Sequence, residues 1–150
     1  MKEKTTLAFN KRAHFDYEII EIFDAGIALT GHEAKSARLG HPNISGTHGI
    51  VRNGEVFLVG ASIPSFQPGN APEGYDADRS RKLLMLKKEI SRIAEKIKSG
   101  LTLVPLKLES DKRGFLKLQI ALARGKKKYD KREVVKKRET EREIRREIKR

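Results

Sequence analysis

A stretch of 27 residues at the C-terminal end, residues 124–150, constrains the fold of this chain more than any other feature. It holds 14 Lys or Arg and 6 Asp or Glu, a net charge of +8 (14 − 6), with no proline and a single glycine. Its sizeable apolar or aromatic residues are Tyr129, Val134, Val135, Ile144 and Ile148. That is too little apolar surface to compensate for the entropy of ordering the segment. We therefore expect residues 1–123 to form the folded domain and residues 124–150 to form a basic tail.

The charge balance of the whole chain points to a polyanionic partner. Residues 1–123 carry 19 basic and 14 acidic residues, or +5 (19 − 14), which with the tail's +8 gives the chain's +13. A pI near 10.1 attracts anions over the entire surface, and phosphate backbones are the commonest partner of proteins with such a profile. Nucleic acid is the first expectation.

Several function classes lack their residues in this sequence. Cysteine is absent, so disulfides, thiolate metal sites and cysteine nucleophiles are excluded. The four histidines form no metal-binding spacing, and no glycine-rich phosphate loop or hydrolase elbow occurs. We therefore expect no catalytic residue, no metal and no cofactor. Without a signal peptide or a membrane-spanning run, we expect a cytoplasmic protein with no membrane partner.

Short runs rich in β-branched and aromatic residues predict about six strands. The strongest hairpin signal is Asn53 followed by Gly54, because both positions of such a two-residue turn need a positive φ. Turns are predicted at residues 24–26 and 111–114. The predicted strands cover residues 17–23, 27–29, 47–51, 56–59, 101–108 and 115–123.

Two helices and a long loop complete the predicted elements. Residues 32–39 read as a short helix closed by Gly40, which tolerates the left-handed cap conformation. Apolar residues at spacings of three and four predict an amphipathic helix over residues 79–98, with Gly100 as its stop. Residues 63–78 hold three prolines and two glycines and must form a loop.

The predicted fold class is mainly β with flanking helices. Neighbouring strands are joined by hairpins, with no alternation of strands and helices, so the sheet is expected to be antiparallel. Closure into a small barrel buries such strands without leaving exposed edges. An OB-type barrel is the first choice and an SH3-like barrel the second.

Basic clusters on this body are the candidate phosphate-binding residues. Few aromatics and no tryptophan favour recognition of a folded RNA by shape and backbone over stacking of a single strand. The first cluster lies before the first predicted strand, the second on the short helix, the third at the start of the predicted long helix, where backbone amides also favour phosphate. The candidates are Asn10, Lys11, Arg12, Lys35, Arg38, Arg79, Arg81, Lys82, Lys87 and Lys117.

Seven sequence blocks, in order along nearly the whole chain, resemble the SsrA-binding protein (SmpB) family, the protein partners of tmRNA. Single blocks would be weak evidence, but seven in register are specific. They are residues 10–13 (NKRA), 25–31 (AGIALTG), 33–36 (EAKS), 38–40 (RLG), 79–84 (RSRKLL), 100–106 (GLTLVPL) and 125–132 (GKKKYDKR).

The resemblance implies an OB-type barrel with flanking helices and a role in bacterial ribosome rescue. Such a protein binds the tRNA-like domain of tmRNA and delivers it to ribosomes stalled on messages without a usable stop codon. Elongation factor Tu is then a further partner, through the same tmRNA complex. The resemblance places Asn10, Asp24, Leu84 and Lys117 on the tmRNA-facing surface; the family commonly has Glu at the position of Asp24.

The resemblance also gives the tail a specific role. It implies a segment that is disordered when free and becomes a helix in the empty message channel near the decoding centre, against small-subunit ribosomal RNA. Tyr129 would stack on bases, and Asp130 would orient an arginine or cap the helix start. The phosphate-holding residues would be Lys126, Lys127, Lys128, Lys131 and Arg132.

Three alternatives remain open on the sequence. A generic ribosomal-RNA-binding or RNA-chaperone barrel protein with a basic extension would have the same composition. An RNA-modifying enzyme would need a cofactor motif or nucleophile that the sequence lacks. A membrane-surface tail would need a better apolar face than the tail's few valines and isoleucines provide.

Overall fold

The computed structural model describes residues 5–40, 42–65, 67, 69 and 71–126, and these form seven strands and three helices. The strands are β1 (Thr5–Phe9), β2 (Tyr17–Ile27), β3 (His48–Arg52), β4 (Glu55–Val59), β5 (Arg81–Leu84), β6 (Thr102–Ser110) and β7 (Leu116–Gly125). The helices are α1 (Ala13–Asp16), α2 (Gly31–Arg38) and α3 (Lys87–Lys98).

The strands form one antiparallel sheet that closes on itself. Their order is β1-β6-β3-β4-β5-β2-β7, and β6 also pairs with β7, which completes a ring. Closure is uneven: β2 and β7 pair over most of their length, whereas β3 meets β6 only at Gly49 and Leu103. The mainly-β, antiparallel prediction is confirmed, although the ring is less regular than the barrel we expected.

The core lies inside this ring because alternate residues of each strand point inward. On β7, Leu118, Ile120 and Leu122 face the interior, and on β2, Phe23 and Ala25 do so. A second, smaller cluster lies on the outside of the ring. There, Ala13 of α1 covers Leu106 and Ala121, so α1 adds a local layer over β6 and β7.

The two longer helices contact opposite ends of the β6–β7 hairpin. At the open end, α3 packs its fully buried Ile93 into the core. At the turn end, Arg38 of α2 donates a hydrogen bond to the carbonyl of Gly114 (3.1 Å).

No helix in the described part of the chain is long and apolar enough to cross a bilayer.

Several predicted elements are confirmed. The short helix appears as α2, and Gly40 follows it with a φ of +85°. The Asn53–Gly54 hairpin joins β3 to β4, with positive φ at both turn residues. The last two predicted strands appear as β6 and β7.

Several predictions are wrong. The turn predicted at residues 24–26 does not form, because β2 runs through it, paired with β7 as far as Gly26. The separate strand predicted at residues 27–29 does not form either, since β2 ends at Ile27. The helix predicted over residues 79–98 begins only at Lys87, and the stretch before it contains β5. Strand β1 and helix α1 were not predicted, so residues 10–12 follow the first strand rather than precede it.

Candidate nucleic-acid interface

Three residues from three different strands stand in register on the outside of the ring. Gly26 of β2 is paired with Leu84 of β5 on one side and with Lys117 of β7 on the other. Residues directly opposite each other in an antiparallel pair project to the same face. We call Leu84, Gly26 and Lys117 the outer row. Asp24, two residues before Gly26, projects to the same face and is exposed.

The centre of the outer row is a close approach of backbone and side chain. A Cβ atom built on Gly26 would lie 3.1 Å from the Cβ and 3.4 Å from the Cδ1 of Leu84. Glycine therefore lets Leu84 lie across the backbone of β2. Leu84 itself remains 54% exposed, which leaves an apolar side chain displayed between charged neighbours.

Exposed basic side chains lie on β5 itself and on two helices, α2 and α3. Lys82 projects to the same face of β5 and is paired with Glu55 (2.9 Å). Lys87, at the start of α3, is exposed three residues beyond Leu84. Lys35 and Arg38 are exposed on α2, and the Arg38 contact with Gly114 brings that helix to the end of the hairpin from which Lys117 projects.

A buried ionic network fixes α2 against β5. Glu33, in the first turn of α2, is almost fully buried and accepts hydrogen bonds from Arg79 and Arg81. Arg81 reaches Glu33 through both Nε (3.0 Å) and Nη2 (2.7 Å) and also donates to the carbonyl oxygens of Ala61 and Ala77. One carboxylate thus ties together the helix, the strand and the loop between β4 and β5.

The same carboxylate closes the start of α2. The Thr30 hydroxyl accepts from the backbone N–H of Glu33, and Glu33 accepts from the backbone N–H of Thr30. Burial by itself would raise the pKa of Glu33, but the hydrogen bonds from Arg79, the Thr30 backbone and Arg81 outweigh it. Together they lower the pKa from 4.5 to about 2, so Glu33 is ionised at neutral pH.

Two of the basic candidates, Arg79 and Arg81, are therefore placed differently from what the sequence predicted. Arg79 and Arg81 do not start a helix. Arg81 lies on the inner face of β5 with no exposed surface, and the side chain of Arg79 is 38% exposed beside Glu33. Arg81 cannot reach an RNA phosphate from this position, because its donors are committed inside the protein.

The candidates near the N-terminus form a separate group. Asn10 is 4% exposed and donates its side-chain N–H to the carbonyl of Pro105 (2.9 Å), so it holds β6 rather than facing solvent. Lys11 and Arg12 are exposed beside α1. That helix covers Ala121, four positions along β7 from Lys117 and roughly 13 Å away.

The first residue of the predicted tail interface lies on the body. The backbone N–H of Lys126 donates to the carbonyl of Asp16, and its Nζ donates to the carbonyl of His14 (both 2.9 Å). These bonds hold the start of the tail at α1. The remaining tail candidates lie outside the described residues: Lys127, Lys128, Tyr129, Asp130, Lys131 and Arg132.

Sequence reasoning missed Glu33 and Gly26. A signal for Glu33 was available, since Thr30 and Glu33 have the spacing of a capping box. Gly26 was assigned to a turn because its neighbours have turn composition.

Among the described residues, no three His, Asp or Glu side chains are grouped so that they could hold a metal ion.

Residues 7–150 match the family model described as SmpB protein. The chain belongs to the SmpB family. Its relatives in that family include the SsrA-binding protein of Thermosipho africanus (strain TCF52B), which is 46% identical over 145 residues, or 96% of this chain and 97% of the relative. The SsrA-binding protein of Ligilactobacillus salivarius (strain UCC118) is 48% identical over 144 residues, or 95% of this chain and 92% of the relative.

A solved structure of the SmpB family resembles the described fold. It is a chain from "tmRNA-SmpB: a journey to the center of the bacterial ribosome", with a TM-score of 0.67 and 41% sequence identity. The match covers 85% of this chain and 92% of that one. The resemblance to this family inferred from the seven sequence blocks is thereby confirmed.

Proposed function

We propose that this protein binds the tRNA-like domain of tmRNA and delivers it to stalled bacterial ribosomes, in the cytoplasm. The outer row is the observation that carries this proposal within the molecule. It presents an apolar side chain and a cation in register on a rigid sheet, and membership of the SmpB family identifies the RNA. Leu84 would supply shape contact, and Lys117 would supply a phosphate contact.

The proposed tmRNA-facing surface consists of the outer row with Asp24 and the basic side chains around it. We include Lys82, Lys87 and the two basic residues of α2 because they are exposed. Arg79 adds a partly exposed guanidinium at the edge. Asn10 and Arg81 are left out because they are buried, and Lys11 and Arg12 are assigned no contact on this face.

Binding to tmRNA and to a control RNA of equal length tests this function. We expect clearly tighter binding to tmRNA at fixed salt, because phosphate attraction alone cannot discriminate between RNAs of equal length. Equal affinity for the two RNAs would instead support the generic RNA-binding barrel. A Lys117→Ala variant should lower tmRNA affinity and make its salt dependence shallower by about one unit of slope.

We further propose that the chain divides into a body, residues 1–123, and a tail, residues 124–150, with separate tasks. The first two residues of the tail still belong to β7, which ends at Gly125. The body would select tmRNA, whereas the tail would sense the empty message channel near the decoding centre. The tail's +8 charge suits a phosphate-lined channel, and an occupying message would exclude it. Elongation factor Tu would join through the same tmRNA complex rather than through a site of its own.

Truncation separates the two tasks. A chain ending at Lys126 retains both hydrogen bonds between Lys126 and α1, so the body keeps its contacts. We expect it to bind tmRNA nearly as the full chain does and to fail in tagging peptides on stalled ribosomes. Loss of tmRNA affinity on truncation would contradict this division.

A further inference from the structure

A cavity of about 280 Å³ opens between the start of α2 and the loop that precedes β5. Its walls include His32, Pro72, Gly74, Tyr75, Asp76 and Arg79. Two of these side chains are aromatic rings, one is a guanidinium and one a carboxylate, and Thr30 and the carboxylate of Glu33 complete the lining. Since sites for drug-sized ligands start at roughly 300 Å³, this cavity suits a single small planar group.

The aromatic walls are held in place by the loop itself. The rings of His32 and Tyr75 meet edge to face, with centroids 4.9 Å apart and planes at 65°. The Tyr75 hydroxyl donates to the carbonyl of Ile63, and His32 Nε2 shares a hydrogen bond with Ser65 (2.8 Å). The rings are therefore set before any ligand arrives, which reduces the entropy lost on binding.

The guanidinium of Arg79 is fixed as well. It donates to Glu33 through Nε (3.0 Å) and through Nη2, so its plane is held by a forked ion pair. Its side chain remains 38% exposed. A fixed guanidinium plane and an aromatic ring are the two surfaces on which proteins stack unpaired RNA bases.

The cavity adjoins the proposed tmRNA-facing surface. Arg79 Nη2 contacts the carbonyl of Ala28 (3.4 Å), and the backbone N–H of Ala28 donates to the carbonyl of Lys82 (2.9 Å). Ala28 lies two residues beyond Gly26 along the same segment. The cavity therefore lies beside the segment that follows Gly26 and beside the start of β5.

We propose that this cavity receives the base of one unstacked nucleotide of the bound RNA. The base would lie against Tyr75 and Arg79, and Asp76 would accept a hydrogen bond from an amino or imino group of its edge. This inference rests on the proposed function, since it assigns one nucleotide of the same RNA to a second contact. It adds base recognition to a surface that otherwise offers shape and phosphate contacts.

Base-specific chemical probing of tmRNA bound to the full chain tests the proposal. Tyr75→Leu removes the ring but keeps apolar bulk, and Tyr75→Phe keeps the ring but loses the hydrogen bond to Ile63. Tyr17→Leu is the matched control, because Tyr17 pairs with Gly125 at the far end of β2. We expect one loop nucleotide to be protected by the wild type, Tyr75→Phe and Tyr17→Leu, and exposed with Tyr75→Leu, while the rest of the footprint persists. Affinity should fall about tenfold in Tyr75→Leu alone.

Two results would overturn the inference. One is an unchanged footprint and affinity in Tyr75→Leu. The other is a parallel loss of the whole footprint in Tyr75→Leu and Tyr75→Phe, which would show that the loop only supports the fold. Both differ from failure of the proposed function, in which the wild type itself does not prefer tmRNA over the control RNA and this inference fails with it.

Discussion

On each face of strand β5 one residue has the reverse of the burial that its type suggests. On the inner face Arg81 has no exposed surface, whereas on the outer face Leu84 is 54% exposed. Folding alone would favour the opposite arrangement, because burying a charge is costly and displaying an apolar side chain gains nothing. The buried charge of Arg81 and the exposed side chain of Leu84 therefore have different physical causes.

The buried arginine is explained within the protein. Arg81 has a carboxylate, Glu33, and two carbonyl oxygens as partners, so its charge is compensated where it lies. The exposed leucine contacts Gly26 but still presents about half of its surface to solvent. The inner face of β5 therefore maintains the fold, while the outer face is the one that we propose for RNA contact. Substitutions on the two faces should separate stability from RNA binding.

The largest effect is expected from Glu33→Gln. It removes the charge that compensates Arg81 and Arg79, and breaking a buried pair in this way costs about 3–5 kcal/mol. The free energy of unfolding, measured with denaturant, should fall by that amount. Glu55→Gln is the control, since it breaks the exposed pair with Lys82 and should cost at most about 1 kcal/mol. Similar losses in the two variants would show that the buried network has no special weight.

Acid should affect the same network. The pKa of Glu33 is about 2 in the folded chain and ordinarily 4.5. A lowered pKa contributes stability that is fully present above pH 4.5 and is lost as the pH falls through about 2. The contribution is about 3 kcal/mol. Denaturant unfolding of the wild type and Glu33→Gln between pH 6 and pH 2 measures it. We expect the stability difference between the two proteins to shrink toward low pH, and a constant difference would contradict the assignment.

A smaller effect, on binding rather than on stability, is expected from Leu84→Ala. The free energy of unfolding should change by less than about 0.5 kcal/mol, because the side chain is half exposed. The affinity for tmRNA should fall about tenfold, as for a central apolar contact of an interface. Ile20→Ala is the matched control: Ile20 is similarly exposed on β2 but lies six residues before Gly26. Equal losses of affinity in the two variants would remove the special role of the outer row.

The same inversion on β5 explains what the sequence could not predict. A strand is recognised by apolar residues that alternate with polar ones. In residues 81–84 the inward positions are Arg81 and Leu83 and the outward ones Lys82 and Leu84, so no alternation is visible. Leu83 and Leu86 instead extended the spacing of α3 backwards. The β6–β7 hairpin, whose pattern follows ordinary burial, was predicted within a few residues of its bounds. Helix α2 was predicted as closely despite its buried Glu33, because Gly40 marks its end.

The resemblance to the family identified site candidates that the structure places together at exposed positions. Leu84, Asp24 and Lys117 were named from the resemblance, and the sheet register brings them to one face. Asn10 was also named from the resemblance, and Arg81 was named from its charge, but both residues are buried. Residue type does not distinguish a cation held by a carboxylate 48 positions away from one that faces RNA, because that pairing is decided by the tertiary fold.

The smallest effect should come from Gly26→Ala. In an ordinary strand this change stabilises the protein by roughly 0.5–1 kcal/mol, but here the new Cβ would lie 3.1 Å from that of Leu84. The two effects should nearly cancel, so unfolding should change by less than about 0.5 kcal/mol. Binding should weaken by only a few-fold, since Leu84 must shift by a few tenths of an ångström. Comparing Gly26→Ala alone and in the Leu84→Ala background gives a double-mutant cycle. If Gly26 affects RNA binding only through the position of the Leu84 side chain, Gly26→Ala should not lower affinity further in the Leu84→Ala background. Additive losses of affinity would instead mean that RNA contacts the backbone of β2 directly.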